Sequence, residues 1–124
     1  MNTQVLLLVV VSALLTAAGN LATRQGLVNA GGLFLQGDGV VGLLSRLARQ
    51  WLFILGVAAY AFGALVWFRV LSVSEVSTSY PVYVGLLFVT IAVAGALLLK
   101  ESVSPSKVAG IATVLVGIVL IARA

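Results

Sequence analysis

Four membrane-spanning α-helices are what this sequence predicts, and three observations predict them. Of its 124 residues, 62% are hydrophobic and only 8% are Asp, Glu, Lys or Arg, whereas a soluble domain is roughly half apolar and about a quarter charged. So few charges cannot cover the surface of one small water-soluble domain. The charges also divide the chain into apolar blocks, since none occurs from Met1 to Thr23, Trp51 to Phe68, Val76 to Leu99 or Val108 to Ala122. Crossing a hydrocarbon core of ~30 Å takes about 20 apolar residues at the helical rise of ~1.5 Å. Finally, Val5 to Val11 and Ile118 to Ile121 are unbroken apolar runs, not the alternation of a membrane β-strand.

Composition therefore excludes soluble enzymes, disordered tails and nucleic-acid readers. The net charge of +4 comes from seven basic residues scattered along the chain, which make no basic stripe. With neither Cys nor His, disulfides and the commonest metal sites are excluded, and no cofactor is expected.

The chain reads as a single transmembrane domain, 1–124, with helices at about 4–22, 51–72, 78–99 and 105–122. The first block has no leading Lys or Arg and exceeds the usual apolar run of a cleaved signal, so it reads as a span. Residues 23–50 form the long connection. Its stretch Gly26-Leu-Val-Asn-Ala-Gly-Gly is glycine-rich and reads as flexible. Over 40–50, Val40, Leu43, Leu44 and Leu47 share a face opposite Arg46 and Arg49. That pattern fits a short helix lying among headgroups, and equally an extension of the second span. The later connections are tight, so successive spans run antiparallel. Arg24, Arg46, Arg49, Lys100 and Lys107 then share one side, against Arg69 and Arg123 on the other. Five against two points to both termini outside the cytoplasm.

These residues build no familiar catalytic constellation. Without His there is no Ser–His pair, and the topology puts Glu75 and Glu101 near opposite membrane faces, too far apart for paired acid–base work. A role without catalysis is expected. Gly56, Ala59 and Gly63 share one face of the second span; Gly110, Thr113 and Gly117 share one face of the last. Small residues let helices approach closely in lipid, so both stripes read as packing seams. Four such helices enclose little space, and a second copy or a similar chain is expected, with the Gly110–Thr113–Gly117 face as its first contact. Trp51 reads as an aromatic-belt residue. Pro81 lacks an N–H and either opens or kinks the third span, leaving carbonyls near Ser77 without partners. Tyr80 and Tyr83 offer hydroxyls on one face near Trp67. Asn20 and Arg24 lie at i and i+4 at the end of the first span, where Arg24 either snorkels to the headgroups or holds a phosphate. Arg69, inside an apolar run, either snorkels, pairs with Glu75 or faces a polar cavity.

From Trp51 onward the sequence resembles the small four-helix members of the drug/metabolite transporter superfamily, of EamA and SMR type. The resemblance rests on Trp67, Ser79-Tyr80-Pro81, Lys100-Glu101-Ser102-Val103-Ser104-Pro105, and Gly110 and Gly117 in the last helix. Ala18-Gly19-Asn20 with Arg24 looks like the polar end of that family's first helix. Within the superfamily the likeness is to the ArnE and ArnF subunits, taken to flip undecaprenyl-phosphate-linked aminoarabinose across the bacterial inner membrane. Loop one is longer here and richer in glycine.

The resemblance implies a dimer, with itself or a similar chain, that moves a polyprenyl-phosphate-linked aminosugar between leaflets, a step of lipid A modification. It implies a phosphate rim at Arg24, Arg46, Arg49 and Lys100, a head-group route at Asn20, Trp67, Arg69, Tyr80, Pro81 and Tyr83, and a role for Glu101. Two other readings stand beside it. One is a proton-coupled exporter of small cations, which works through an acid in its first helix; Val5 to Ala22 contains none. The other is a membrane assembly subunit that transports nothing itself.

Overall fold

The computed structural model describes residues 2–32, 37 and 39–124. It contains five helices: α1 (Thr3–Asn29), α2 (Gly39–Ala48), α3 (Trp51–Val73), α4 (Val76–Leu98) and α5 (Pro105–Arg123). Four of them, all but α2, are long and apolar enough to cross a membrane. The described residues contain no strand.

α1 is longer than the charge pattern suggests, reaching Asn29 where 22 is expected. A charge marks where a helix leaves lipid, not where it stops being a helix. Beyond Arg24 the helix is supported by a side-chain bond from Gln25 to Asn29 at 3.0 Å and by Gly26 packed on Phe53. It ends in a Schellman arrangement: Gly31 N–H bonds Val28 and Gly32 N–H bonds Leu27, with Gly31 at φ +87°. The stretch expected to be flexible is thus a helix end and its cap.

α2 is a helix in its own right, separated from α3 by the extended residue Gln50. Arg46 Nη1 donates to the Ala30 carbonyl at 3.0 Å, tying α2 to the end of α1. Val40, Val41 and Leu44 are exposed while Leu47 is buried.

α1 lies between α3 and α4, with α5 on the outer side of α4. The α1–α3 contact is antiparallel, running from Ser12 beside Gly63 to Gly26 beside Phe53. On α1 it uses Ser12, Thr16, Gly19, Thr23 and Gly26, a 4-3-4-3 spacing that repeats every seven residues, as in left-handed helix pairs. Ser12 Oγ donates to the Gly63 carbonyl at 2.8 Å. At the opposite end from α2, Val5, Val9, Val70 and Val82 form a small core that Ile118 and Ile121 of α5 join.

α4 begins two residues earlier than expected, so Pro81 lies inside it rather than at its start. Its ring leaves the Ser77 carbonyl without the usual i+4 donor. α5 starts where Ser104 Oγ accepts from Lys107 N–H at 3.1 Å, with Pro105 following the cap. No residue of α5 is buried.

Candidate functional site

Two groups of expected residues gather along α1. At one membrane end, the α4–α5 connection folds back toward α1. Lys100 adopts φ +53°, the left-handed conformation that usually falls to Gly just past a helix end. That turn lets both Leu99 and Glu101 donate their N–H groups to the Gly95 carbonyl. The Glu101 carboxylate then lies over Gly95, where a Cβ would sit 2.9 Å from Oε2. From there Oε1 reaches Arg24 Nε at 3.8 Å, with the two side chains 39% and 55% exposed. The pair shows that loops one and three share a side.

Eight residues before Arg24, roughly 12 Å along the helix, Thr16 Oγ1 accepts from the Tyr83 hydroxyl at 3.0 Å. The Tyr83 ring stacks on Trp67 with centroids 4.3 Å apart and planes at 28°. Tyr80 joins them, 5.8 Å from Trp67 and 6.4 Å from Tyr83. Tyr83 and Trp67 are half-buried, and Tyr80 is exposed. Half-buried Asn20 occupies α1 midway between Thr16 and Arg24. α1 therefore carries a row at four-residue intervals: Ser12, Thr16, Asn20 and Arg24. It leads from the aromatic cluster to the ion pair.

Arg24 is not at the end of its helix as expected, because α1 continues five residues further. Arg46, expected in a phosphate rim, donates to Ala30, while Arg49 and Lys100 are exposed. Arg69 is exposed too, and among the described residues it forms no ion pair with Glu75. An added Cβ at Gly110 or Gly117 would meet nothing within 4 Å, and Thr113 is exposed. Ser12 and Thr16 were outside the expected set. The four-residue spacing of polar side chains in an apolar helix was the signal that could have found them.

Such an arrangement can hold an anion at one membrane end and a polar, ring-shaped group deeper along the same helix. Four membrane-length helices with a polar row along the first define a small multi-pass membrane protein. Three relatives are each called a probable 4-amino-4-deoxy-L-arabinose-phosphoundecaprenol flippase subunit ArnE. That of Pseudomonas savastanoi is 40% identical over 66% of this chain and 70% of its own. That of Proteus mirabilis is 32% identical over 91% of this chain and 92% of its own. The Pseudomonas syringae protein is 31% identical over 90% and 94%. No protein-family model matches the chain, and no solved structure does. The chain belongs to the ArnE family of flippase subunits and is a multi-pass protein of the bacterial inner membrane.

Proposed function

We propose that this chain is one subunit of a flippase that moves an undecaprenyl-phosphate-linked aminosugar between leaflets, without catalysing a covalent reaction. The observation that carries this reading is the Arg24–Glu101 pair at the end of the polar row. A loose, half-exposed ion pair is worth about 0–1 kcal/mol. A phosphate can displace Glu101 at little cost, because a guanidinium binds phosphate in bidentate fashion with charge-assisted bonds. Arg49 and Lys100 add positive charge at that face and Arg46 fixes α2 beside it. The polyprenyl tail stays in lipid while the sugar follows Asn20, Tyr83, Tyr80 and Trp67.

The chain acts as a dimer, with itself or a similar chain. The open face of α5 supports this: Gly110, Thr113 and Gly117 form a small-residue stripe, and an added Cβ at either glycine would meet nothing within 4 Å among the described residues. Beside it run apolar grooves of about 420 Å³ and about 350 Å³, both lined by Val114. A second helix would fill them. Loops one and three face the cytoplasm in this reading.

The test is flipping of an undecaprenyl-phosphate-linked aminosugar in proteoliposomes that contain the chain and its partner. Arg24→Ala should abolish transport and Arg24→Lys should retain part of it, since Lys keeps the charge but not the fork. Tyr80→Ala should slow it. Unchanged transport in both alanine variants would refute this route.

A further inference from the structure

At the opposite end from Arg24, the turn between α3 and α4 meets the start of α1 around a pocket of about 270 Å³. Asn2, Ser74, Glu75, Thr78, Ser79 and Ala124 are among the residues that line it. Glu75 starts α4 with its backbone, its carbonyl accepting from Thr78 and Ser79 N–H at 3.2 and 2.9 Å. Its carboxylate makes no capping bond, and among the described residues it forms no ion pair. Beside it, Ser74 Oγ donates to the Val70 carbonyl at 2.7 Å, so its proton is committed inward. Ser79, 1% exposed, must therefore be the donor in its own 2.7 Å bond to Ser74. Both hydroxyl protons are spent, and what these two serines and the carboxylate have left to offer a ligand is lone pairs. The Asn2 amide and the Thr78 hydroxyl add donors to this wall, and Glu75 is the one charged side chain among the described lining residues, so the pocket favours a positively charged ligand that both donates and accepts hydrogen bonds.

We infer that this pocket binds the primary ammonium group of an aminosugar. The inference rests on the flippase reading for its biological setting, and it deepens it. α4 is 23 residues long, and with its carboxylate over Gly95 Glu101 lies about 30 Å along the helix from Glu75. Phosphate and amine then have anchors at opposite membrane faces, and the Glu75 pocket receives the head group on the less basic side, which carries Arg69 and Arg123. Its volume suits one sugar ring rather than a drug-sized molecule.

The experiment measures binding of galactosamine and N-acetylgalactosamine to the purified full chain in micelles at neutral pH, by saturation-transfer NMR. Acetylation removes the charge and two donors while leaving the ring. Galactosamine should bind tighter by about tenfold or more, the scale of one charge-assisted hydrogen bond. Glu75→Gln, nearly isosteric and on an exposed residue, should erase that preference at unchanged helicity, and Glu75→Asp should keep part of it. Equal binding of the two sugars, or a preference that survives Glu75→Gln, overturns the inference. A chain that binds galactosamine through Glu75 but flips no lipid refutes the flippase reading and leaves this site standing. One that flips the lipid and keeps its amine preference without Glu75 does the reverse.

Discussion

Gly56→Ala and Gly117→Ala add the same methyl group to two apolar helices, and they should act in opposite directions. At Gly56 the new carbon would lie 2.5 Å from Thr23 N and 2.8 Å from the Gly19 carbonyl oxygen, with Thr23 Oγ1 also in the way. Two of those atoms are backbone and cannot rotate aside. The helices must part by about 1 Å to restore ordinary contacts of ~3.5 Å, and a gap of that size forfeits a quarter to a half of each dispersion contact. Overpacking of this kind costs about 1–3 kcal/mol, and a site walled by backbone belongs at the upper end. Parting also strains the Ser12–Gly63 hydrogen bond, worth about 1 kcal/mol. Better helix propensity returns about 1 kcal/mol, which leaves a net loss of about 3 kcal/mol. At Gly117 nothing lies within 4 Å, so only the propensity gain of up to about 1 kcal/mol applies to the isolated chain. Reversible unfolding by SDS in mixed micelles, followed by helicity, measures both. Adding Thr23→Ala to Gly56→Ala should recover little, because the backbone clash persists. A Gly56→Ala protein within about 0.5 kcal/mol of the parent would refute a close α1–α3 seam.

Further outcomes concern the ion pair, the turn that delivers it and the open helix face. Glu101→Gln should free Arg24 and tighten binding of a phosphate-headed polyprenyl lipid up to about fivefold, the limit for an exposed pair, as read by titration in nanodiscs. Gly95→Ala should act in the same direction by pushing the carboxylate off its seat. Lys100→Gly should stabilise the fold by about 1 kcal/mol, because Gly takes a positive φ without a Cβ penalty, yet weaken lipid-phosphate binding through loss of its charge. Tyr83→Phe keeps the ring stack and loses the bond to Thr16, and should lower unfolding stability by about 1 kcal/mol. Gly117→Leu should reduce crosslinking to the second chain without lowering monomer stability; crosslinking that persists would mean that the partner docks elsewhere.

The spans were legible because lipid imposes a crude requirement, about 20 predominantly apolar residues, which three charge-free blocks meet and a fourth, Val108 to Ala122, meets once extended back to Pro105. What escaped depends on neighbours across a gap. Gly56 and Gly110 look alike in the sequence, each in a small-residue stripe, but Gly56 presses on Thr23 while Gly110 faces open space. The four-residue spacing of Ser12 and Thr16 marks a polar row but not what it bonds, since a hydroxyl in an apolar helix can always bond its own preceding turn. Thr90 does so to Leu86 at 2.7 Å and Thr113 to Ala109 at 2.8 Å. Only Gly63 and Tyr83 on the facing helices separate a bridging hydroxyl from a self-satisfied one. Asn20 and Arg24 stood out because one local bond still leaves an amide's other polar groups, and a guanidinium's charge, without a partner in lipid.

Glu101 shows the remaining limit most clearly. As a carboxylate in a short connection it looks like any solvated helix-end acid. Its position opposite Arg24 depends on a missing Cβ at Gly95, six residues earlier, and on the left-handed turn at Lys100. Neither is a periodic signal, and a lysine is a poor advertisement for positive φ. Holding a non-glycine residue there costs roughly 1–2 kcal/mol, which a connecting turn chosen for stability alone would avoid by using Gly. A cation kept at this position, next to an acid that is itself held against an arginine, is what the proposed exchange of Glu101 for a phosphate requires. The strain at Lys100 and the ion pair are one device, since the turn that Lys100 makes is what delivers Glu101 to Arg24.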